Sequence, residues 1–167
     1  MRIQLSGLHE EPHTFNRKCS AVIYFDDIET FPDDLSIRAT VNREGNSLRL
    51  LIDAELTGCF NCDRCGAPLK NQYHCREEFF FMFEEDDHSL EDHESGIIPR
   101  GALELDISQE IRDTIILTLP YQHFCTEDCR GICPKCGVDL NKKECKCQHD
   151  NVEPRWEALK ELKKKKK

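Results

Sequence analysis

The sequence lacks a long apolar run and is poor in aromatic residues. No window approaches the roughly 20 consecutive apolar residues of a membrane-spanning helix, and the amino-terminal stretch has no apolar core of a secretory signal. Aromatic residues make up 8% of the 167 residues and hydrophobic residues 38%, against 33% charged residues. We therefore expect a cytoplasmic protein without a membrane partner, whose modest core a bound metal ion would help to stabilise.

Motifs of the common catalytic sites are missing as well. The chain contains no glycine-rich phosphate loop, no G-x-S-x-G element and no H-E-x-x-H element. These absences exclude the enzyme classes that depend on those motifs for phosphate binding, nucleophilic attack or zinc hydrolysis. The sequence predicts that the protein is not an enzyme and has no small-molecule substrate.

Cysteine, by contrast, is abundant. There are 11 cysteines, of which ten fall into two clusters while Cys19 stands alone. In a reducing compartment clustered cysteines favour metal ligation over disulfides, and the odd total of 11 also argues against complete internal pairing. Cys19 is predicted to be a small buried apolar residue.

The later cluster has six cysteines within 23 residues and is centred on the sequence CPKCG. The proline shapes a turn and the glycine permits a left-handed residue, so that backbone amides can point at the sulfurs. Such a set of thiolates predicts a closed, structural Zn²⁺ site, with an iron–sulfur cluster as the alternative.

The choice of ligands stays open, because six thiolates exceed one tetrahedral site and fall short of two. The first choice is a knuckle that faces a short return segment, formed by Cys133, Cys136, Cys145 and Cys147. The rival choice replaces the last two with Cys125 and Cys129. His123 and His149 flank the cluster and are candidate substitutes.

The earlier cluster consists of Cys59, Cys62 and Cys65, followed by Cys75. These four could close a second zinc site by themselves. Equally, Cys62 and Cys65 could face the later cluster in space and share a metal ion with it. A redox pair is the third interpretation, but the βαβ context of thioredoxin-like proteins is absent.

Apolar patterning predicts an α+β fold. Strands are expected at 19–25, 35–41, 47–56 and 72–83, with a hairpin turn at 43–46. Isoleucines at helical spacing predict a covering helix over 107–119, capped by Asp106 or Ser108 and ended by Pro120.

The chain is predicted to divide near residue 120. Residues 1–120 would form an antiparallel β-rich domain with an acidic, solvated loop at 84–95, where a hard cation is the lesser alternative. Residues 121–167 would form a small zinc module that ends in a helix at 153–162 and a lysine tail.

Charge divides at the same place. Residues 1–120 contain 24 acidic and 11 basic side chains, whereas residues 121–167 contain 8 acidic and 12 basic ones. A local basic surface can meet phosphate while the rest of a protein remains acidic.

The segment 119–147, together with Glu153-Pro-Arg-Trp-Glu-Ala-Leu, resembles the large ribosomal RNA subunit accumulation protein family of bacteria and plastids. The family ending has the form C-x3-C-[KR]-G-[LI]-C-P-x-C-G-x-[DN]-L-N, then C-x-C, then a D-P-R-x-x-x-L helix. Cys62-Asp-Arg-Cys65 matches an earlier C-x-R-C element. The sequence departs from the pattern at Gly66, often leucine, and at Glu153, usually aspartate, and Cys59 and Cys75 lie outside it.

The resemblance implies a non-catalytic role in the accumulation or processing of large-subunit ribosomal RNA, with that RNA or a large-subunit ribosomal protein as partner. Basic side chains of the zinc module are candidate phosphate contacts: Arg130, Lys135, Lys142, Lys143, Lys146 and Arg155. Tyr121, Phe124 and Trp156 are candidates for stacking on bases. The alternative is a protein–protein adaptor whose acidic half holds a basic ribosomal protein without direct RNA contact.

Overall fold

The computed structural model describes residues 1–9, 11–84 and 96–147. These residues form seven β-strands and one α-helix: β1 Arg2–Gln4, β2 His13–Ser20, β3 Asp34–Glu44, β4 Ser47–Asn61, β5 Pro68–Phe83, β6 Ile97–Ile98, β7 Glu104–Asp106 and α1 Ser108–Thr118. The predicted acidic loop beyond Glu84, the predicted carboxy-terminal helix and the lysine tail lie outside the described residues.

The main sheet has five strands in the order β2-β3-β4-β5-β6, and β1 pairs with β7 in a separate two-stranded sheet. Strands β2 to β5 are antiparallel neighbours, and β6 runs parallel to the end of β5. The β3–β4 turn closes on the Glu44–Ser47 pair. Gly45 adopts φ +59° in this turn, which suits the first loop position of a type II′ hairpin.

One face of the sheet is the core. Side chains alternate along β3 and β4, so that every second residue is buried from Leu35 to Val41 and from Leu48 to Gly58. Helix α1 packs on β4 and β5 and adds Ile111, Thr114 and Ile115 to this core. The opposite face is mostly polar, apart from the exposed Phe80 and Met82 of β5. It has cross-strand ion pairs of Arg49 with Glu78 and of Asp53 with Arg76. The α+β class predicted from the sequence is therefore broadly confirmed.

The predicted elements differ in their bounds. The strands expected at 35–41, 47–56 and 72–83 are longer in the structure, at Asp34–Glu44, Ser47–Asn61 and Pro68–Phe83. The strand expected at 19–25 ends at Ser20, and residues Ala21–Ile23 form a 3₁₀ turn instead. The reason is packing: the turn buries Ala21, Tyr24 and Phe25 together, which an extended strand could not do because its side chains alternate. Helix α1 is one residue shorter at each end than 107–119.

The start of α1 also differs in detail from the predicted cap. Ile107 occupies the N-cap position and makes no side-chain cap bond. The Asp106 carboxylate nevertheless accepts a hydrogen bond from the Ser108 N–H at 3.1 Å, so Asp106 satisfies a donor of the first turn.

The β4–β5 hairpin extends past the rest of the sheet. Strand β3 pairs with β4 only as far as Ser36 opposite Glu55, whereas β4 and β5 remain paired out to Asn61 opposite Pro68. The hairpin therefore ends in a two-stranded arm, and the loop at its tip contains Cys62 and Cys65.

Among the described residues, no helix has the length and apolar character needed to cross a membrane.

Replacing Ile111 by alanine should lower the free energy of unfolding by about 2–5 kcal/mol, because this fully buried side chain would leave a cavity between α1 and the sheet. Leu117→Ala in the same helix is the matched control, since Leu117 is 74% exposed. We expect its effect to stay within about 0.5 kcal/mol. Urea denaturation of both variants checks the prediction. Similar losses of unfolding free energy in the two variants would contradict the packing of α1 on the sheet.

Candidate metal centres

Eight cysteines meet in two groups of four. We call Cys62, Cys65, Cys125 and Cys129 centre 1, and Cys133, Cys136, Cys145 and Cys147 centre 2. Within each group all sulfurs lie within 4.8 Å of one another. Each centre could therefore hold one ion.

Centre 1 joins the tip of the β4–β5 arm to the chain that follows α1. The tip is a tight turn in which the Gly66 N–H donates to the Cys62 oxygen at 2.8 Å, with Gly66 at φ +71°. It is tied to the later segment twice through Asp63: its N–H donates to the His123 oxygen at 2.8 Å, and its carboxylate accepts the His123 N–H at 2.6 Å.

The His123 ring is part of the aromatic support under the arm. It stacks on Phe60 with ring centroids 3.7 Å apart and an interplanar angle of 8°. Its Nδ1 lies 3.3 Å from the hydroxyl oxygen of Tyr73. The candidate substitute ligand His123 is thus engaged with side chains of the arm and belongs to neither four-sulfur group.

Arg64, between the two arm cysteines, fixes the other side of centre 1. Its Nη1 donates to the carbonyl oxygens of Glu127 at 3.1 Å and Cys129 at 3.0 Å. Its guanidinium lies 4.2 Å from the ring centre of Phe124. Arg64 therefore holds the turn that presents Cys129.

Centre 2 is built on the CPKCG knuckle. The Gly137 N–H donates to the Cys133 oxygen at 2.8 Å, with Gly137 at φ +71°, and the Lys135 N–H points at the Cys133 sulfur at 3.4 Å. The return segment supplies a similar contact, since the Cys147 N–H lies 3.2 Å from the Cys145 sulfur. Backbone donors of this kind reduce the charge that each thiolate must carry.

The sulfur separations fit a tetrahedral ion. The distances between Sγ atoms are 3.8 Å for Cys62–Cys129, 3.7 Å for Cys65–Cys125 and 3.6 Å for Cys136–Cys145. Four sulfurs at about 2.3 Å from Zn²⁺ form a tetrahedron with edges of about 3.8 Å. Even the shortest contact, 3.2 Å between Cys133 and Cys145, is far longer than the roughly 2.05 Å of a disulfide bond.

The electrostatics of both centres also call for a cation. Burial opposes ionisation of Cys62, but the N–H groups of Cys125, Cys65 and Arg64 outweigh it and lower the pKa of Cys62 to about 6. The Cys136 N–H is the main cause that lowers the pKa of Cys133 to about 6.

One other thiol in each centre resists ionisation. Although an N–H donor acts in the opposite direction at each, desolvation and the adjacent thiols raise the pKa of Cys65 and of Cys145 to about 12. Four thiols so close cannot all ionise unless a positive ion offsets their mutual repulsion. The donor set therefore fits a soft divalent metal ion.

A family model described as large ribosomal RNA subunit accumulation protein YceD matches residues 50–163, which is more than half of the chain. The chain belongs to this family. The matched range includes all eight cysteines of the two centres, and the family is named for RNA accumulation rather than for a reaction.

Curated relatives agree with the family. An uncharacterized protein of Mycobacterium tuberculosis is 32% identical over 131 residues, which cover 77% of this chain and 61% of the relative. The chloroplastic large ribosomal RNA subunit accumulation protein YCED homolog 1 of Arabidopsis thaliana is 27% identical over 161 residues, which cover 80% of this chain and 50% of the relative. The chain thus spans between half and about three fifths of these relatives. No solved structure matches.

The family's C-x-R-C element does not form a self-contained site with the other two early cysteines. Cys75 is 1% exposed and belongs to the hydrophobic core, where burial raises the pKa of its thiol to about 11. Cys59 is half-buried in β4 and lies in neither group. Cys62 and Cys65 face later cysteines instead, as in the shared-metal alternative. Cys19 is half-buried against the core.

The later cysteines of the family ending split between the centres. Cys125 and Cys129 join the arm cysteines, so the structure does not group them with Cys133 and Cys136 as in the rival choice. The first choice for the knuckle coincides with centre 2. Ligation itself stays a prediction for all eight residues.

The predicted nucleic-acid residues lie on the surface of the same region. Five candidates are exposed: Arg130, Lys135, Lys142, Lys143 and Lys146. Tyr121 is 98% exposed, whereas Phe124 is half-buried beneath Arg64. Arg155, Trp156 and His149 lie outside the described residues.

Arg64 and Asn141 are the site residues that sequence reasoning missed. Arg64 is the middle of the family's C-x-R-C element, and Asn141 ends its C-G-x-[DN]-L-N element. Each motif combines cysteine with a polar residue that is not a ligand type for this site, and this pattern indicates a supporting role for the polar residue. Their partners are distant in sequence, so the contacts themselves could not be found from spacing.

Proposed function

We propose that this protein is a non-catalytic factor in the accumulation or processing of large-subunit ribosomal RNA, in which two Zn²⁺ ions hold a rigid carboxy-terminal platform that contacts RNA. The family assignment supports the biological role. The observation that carries the physical part is the pair of four-sulfur groups, each with backbone N–H donors aimed at its thiolates.

Zinc suits these centres because sites with four cysteine ligands are closed and structural. Bound zinc would supply positive charge and a fixed tetrahedral geometry, and its four protein ligands would leave no position for a reactive water. This favours a scaffold over a hydrolytic enzyme. The reduced thiolates also need a reducing compartment, which is why we place the protein in the cytoplasm.

Centre 1 would act as a staple between distant parts of the chain. Its facing cysteines are 60 residues apart in the Cys65–Cys125 pair and 67 apart in the Cys62–Cys129 pair. Holding such distant segments together costs the entropy of closing a long loop, and the binding free energy of the ion would offset this cost. An ion bound there would therefore fix the orientation of the basic module on the β-rich body.

The exposed basic residues around centre 2 would form the RNA surface. Lys142, Lys143 and Lys146 lie within ten residues of the knuckle and point into solvent, as phosphate contacts require. The Nζ of the exposed Lys142 also lies 3.1 Å from a carboxylate oxygen of the half-buried Asp139. Ion pairs at the surface contribute little to stability. Tyr121, almost fully exposed, would add a platform for an unpaired base.

Neutralising Lys142, Lys143 and Lys146 together to glutamine should weaken binding to ribosomal RNA fragments about tenfold at low salt. Loss of three phosphate contacts should also flatten the slope of log affinity against log salt concentration by about 2. Filter binding or fluorescence anisotropy across a salt series measures both quantities.

The matched control removes three positive charges from the polar face of the sheet, with Lys18, Arg38 and Arg76 changed to glutamine. We expect this variant to bind RNA like the wild type. Equal weakening by both variants would mean that net charge alone is responsible, and unchanged binding by the first variant would contradict the proposed surface.

The charge of the filled centres favours a second candidate, the protein–protein adaptor. Four thiolates with one Zn²⁺ have a formal charge of −2, so two filled centres reduce the positive potential of the module. The first 120 residues are strongly acidic as well. A chain that shows no RNA affinity at low salt but binds a basic large-subunit ribosomal protein would establish the adaptor.

A further inference from the structure

The two centres are separated along the chain by only Arg130, Gly131 and Ile132, and the loop of centre 2 folds back onto this linker. The Leu140 N–H donates to the Gly131 oxygen at 2.9 Å, and Ile132 forms an isolated antiparallel bridge with Asp139. The loop therefore lies directly against the segment that presents Cys129 to centre 1.

Asn141 in this loop makes the contact between the centres. Its side-chain Nδ2 lies 3.4 Å from the Cys129 sulfur, and its Oδ1 accepts the Arg130 N–H at 2.8 Å. A backbone N–H can only donate, so the oxygen of the amide must face Arg130 and the NH₂ group must face the sulfur. The Asp139 carboxylate holds the same residue by accepting both its backbone N–H and its side-chain NH₂ group, each at 2.9 Å.

This hydrogen bond is directed at a buried ligand. Cys129 is 4% exposed, so its sulfur has little access to water that could replace the amide donor. The Gly131 N–H also favours the thiolate of Cys129. Hydrogen bonds to charged groups are stronger than those between neutral groups, so loss of the Asn141 donor should destabilise this thiolate.

The position of Asn141 depends on centre 2. The loop that contains it is bounded by Cys136 and Cys145, whose sulfurs belong to centre 2 and lie 3.6 Å apart. An ion there would fix both ends of the loop. Without an ion, the loop must lose conformational entropy before Asn141 can reach Cys129.

We propose that Asn141 is a positioning residue that couples the two centres, so that filling centre 2 strengthens metal binding at centre 1. By linkage the effect is reciprocal, and filling centre 1 strengthens binding at centre 2 by the same factor. The inference rests on the metal occupancy of the proposed function, but not on RNA binding.

The coupling is tested by titrating Zn²⁺ into the full-length, metal-free, reduced chain and counting ions by native mass spectrometry, with a competing chelator to set the free concentration. The wild type should pass from no ion to two ions with little of the one-ion species. Asn141→Asp keeps an acceptor for the Arg130 N–H but loses the NH₂ donor to Cys129 and Asp139 and adds a negative charge beside both. In this variant the one-ion species should accumulate. The affinity of centre 1 should fall about tenfold.

A second background separates coupling from a local role. Cys136→Ser disables centre 2, and we expect it to weaken Zn²⁺ binding at centre 1 about tenfold by itself. Adding Asn141→Asp to this background should change the affinity of centre 1 by less than about twofold, because the loop is already unanchored. Thiol alkylation followed by peptide mapping identifies which centre is filled.

Asn71→Asp is the matched control, since Asn71 is an exposed asparagine on β5 and the charge change is the same. It should titrate like the wild type. Independent filling of two sites in the wild type, or wild-type affinity of centre 1 in Cys136→Ser, would overturn the coupling while leaving the proposed metal sites intact. A wild-type chain that binds no Zn²⁺ would overturn the coupling and the proposed zinc platform together.

Discussion

Replacing Cys65 by serine should leave one tightly bound metal ion per chain instead of two. Cys65 faces Cys125 across centre 1, with 3.7 Å between their sulfurs, and serine is a poor ligand for a soft ion. Structural zinc contributes roughly 10–16 kcal/mol of apparent folding free energy in small zinc-finger peptides, so the effect on the attached module should be large. Elemental analysis and native mass spectrometry give the ion count.

Cys59→Ser is the control for this result, because Cys59 lies only a few residues away but belongs to neither group. It should retain both ions. The two variants also distinguish the groupings considered from the sequence: loss of an ion from both would indicate a self-contained site of Cys59, Cys62, Cys65 and Cys75, contrary to the arrangement in the structure.

Hydrogen exchange should show where the lost ion acted. In Cys65→Ser we expect faster exchange of the amides that tie the arm to the later segment, such as those of Asp63 and His123. Amides of the central sheet should stay protected, because β3 and β4 are stabilised by the apolar core rather than by the ion.

Gly131→Ala should be the most damaging glycine substitution in the module. Gly131 is buried at φ +72°, and an added Cβ would lie 2.9 Å from the Arg64 carbonyl oxygen. The left-handed backbone costs an alanine about 1–2 kcal/mol, and the steric clash adds about 1–3 kcal/mol. The clash should also disturb the hydrogen bond from the Ile132 N–H to the Arg64 oxygen, now 3.1 Å long, and so weaken metal retention at centre 1.

Gly137→Ala separates these two causes. Gly137 has nearly the same backbone angle, φ +71°, but nothing lies within 4 Å of its added Cβ. Its free energy of unfolding, measured by urea denaturation, should fall by only about 1–2 kcal/mol. An equal loss of unfolding free energy in both variants would mean that the close contact between Gly131 and Arg64 has no effect on stability.

These expected results concern the same physical arrangement. The arm of β4 and β5 reaches the cysteine-rich segment, and Arg64 and Asp63 of the arm bind the backbone of that segment. Sulfurs from the arm and from the segment meet in centre 1. A basic module held in this way would keep a fixed orientation on the acidic body. That rigidity is what a platform for RNA or for a ribosomal protein needs.

Much of the scaffold could be predicted from local sequence patterns. Alternation along 35–41 and 47–56 predicts strands because the side chains of a strand alternate between faces, and the spacing of Ile107, Ile111 and Ile115 predicts the helix for the equivalent reason. The strand predicted at 19–25 was wrong beyond Ser20, because burial of Ala21, Tyr24 and Phe25 on one side outweighed their β propensity.

The knuckle of centre 2 and the likeness to the accumulation-protein family could likewise be identified from the sequence, since CPKCG places two sulfurs, a turn and their N–H donors within five residues. The cysteines that complete each centre could not be identified from the sequence. The C-x-R-C element distinguishes Cys62 and Cys65 from Cys75, but all the thiols are chemically equivalent and nothing local shows which later cysteines this pair faces. That choice is made by the length and direction of the β4–β5 hairpin, which brings Cys62 and Cys65 to residues about 60 positions further along the chain, because metal ligands are selected by distance in space and not by separation in sequence.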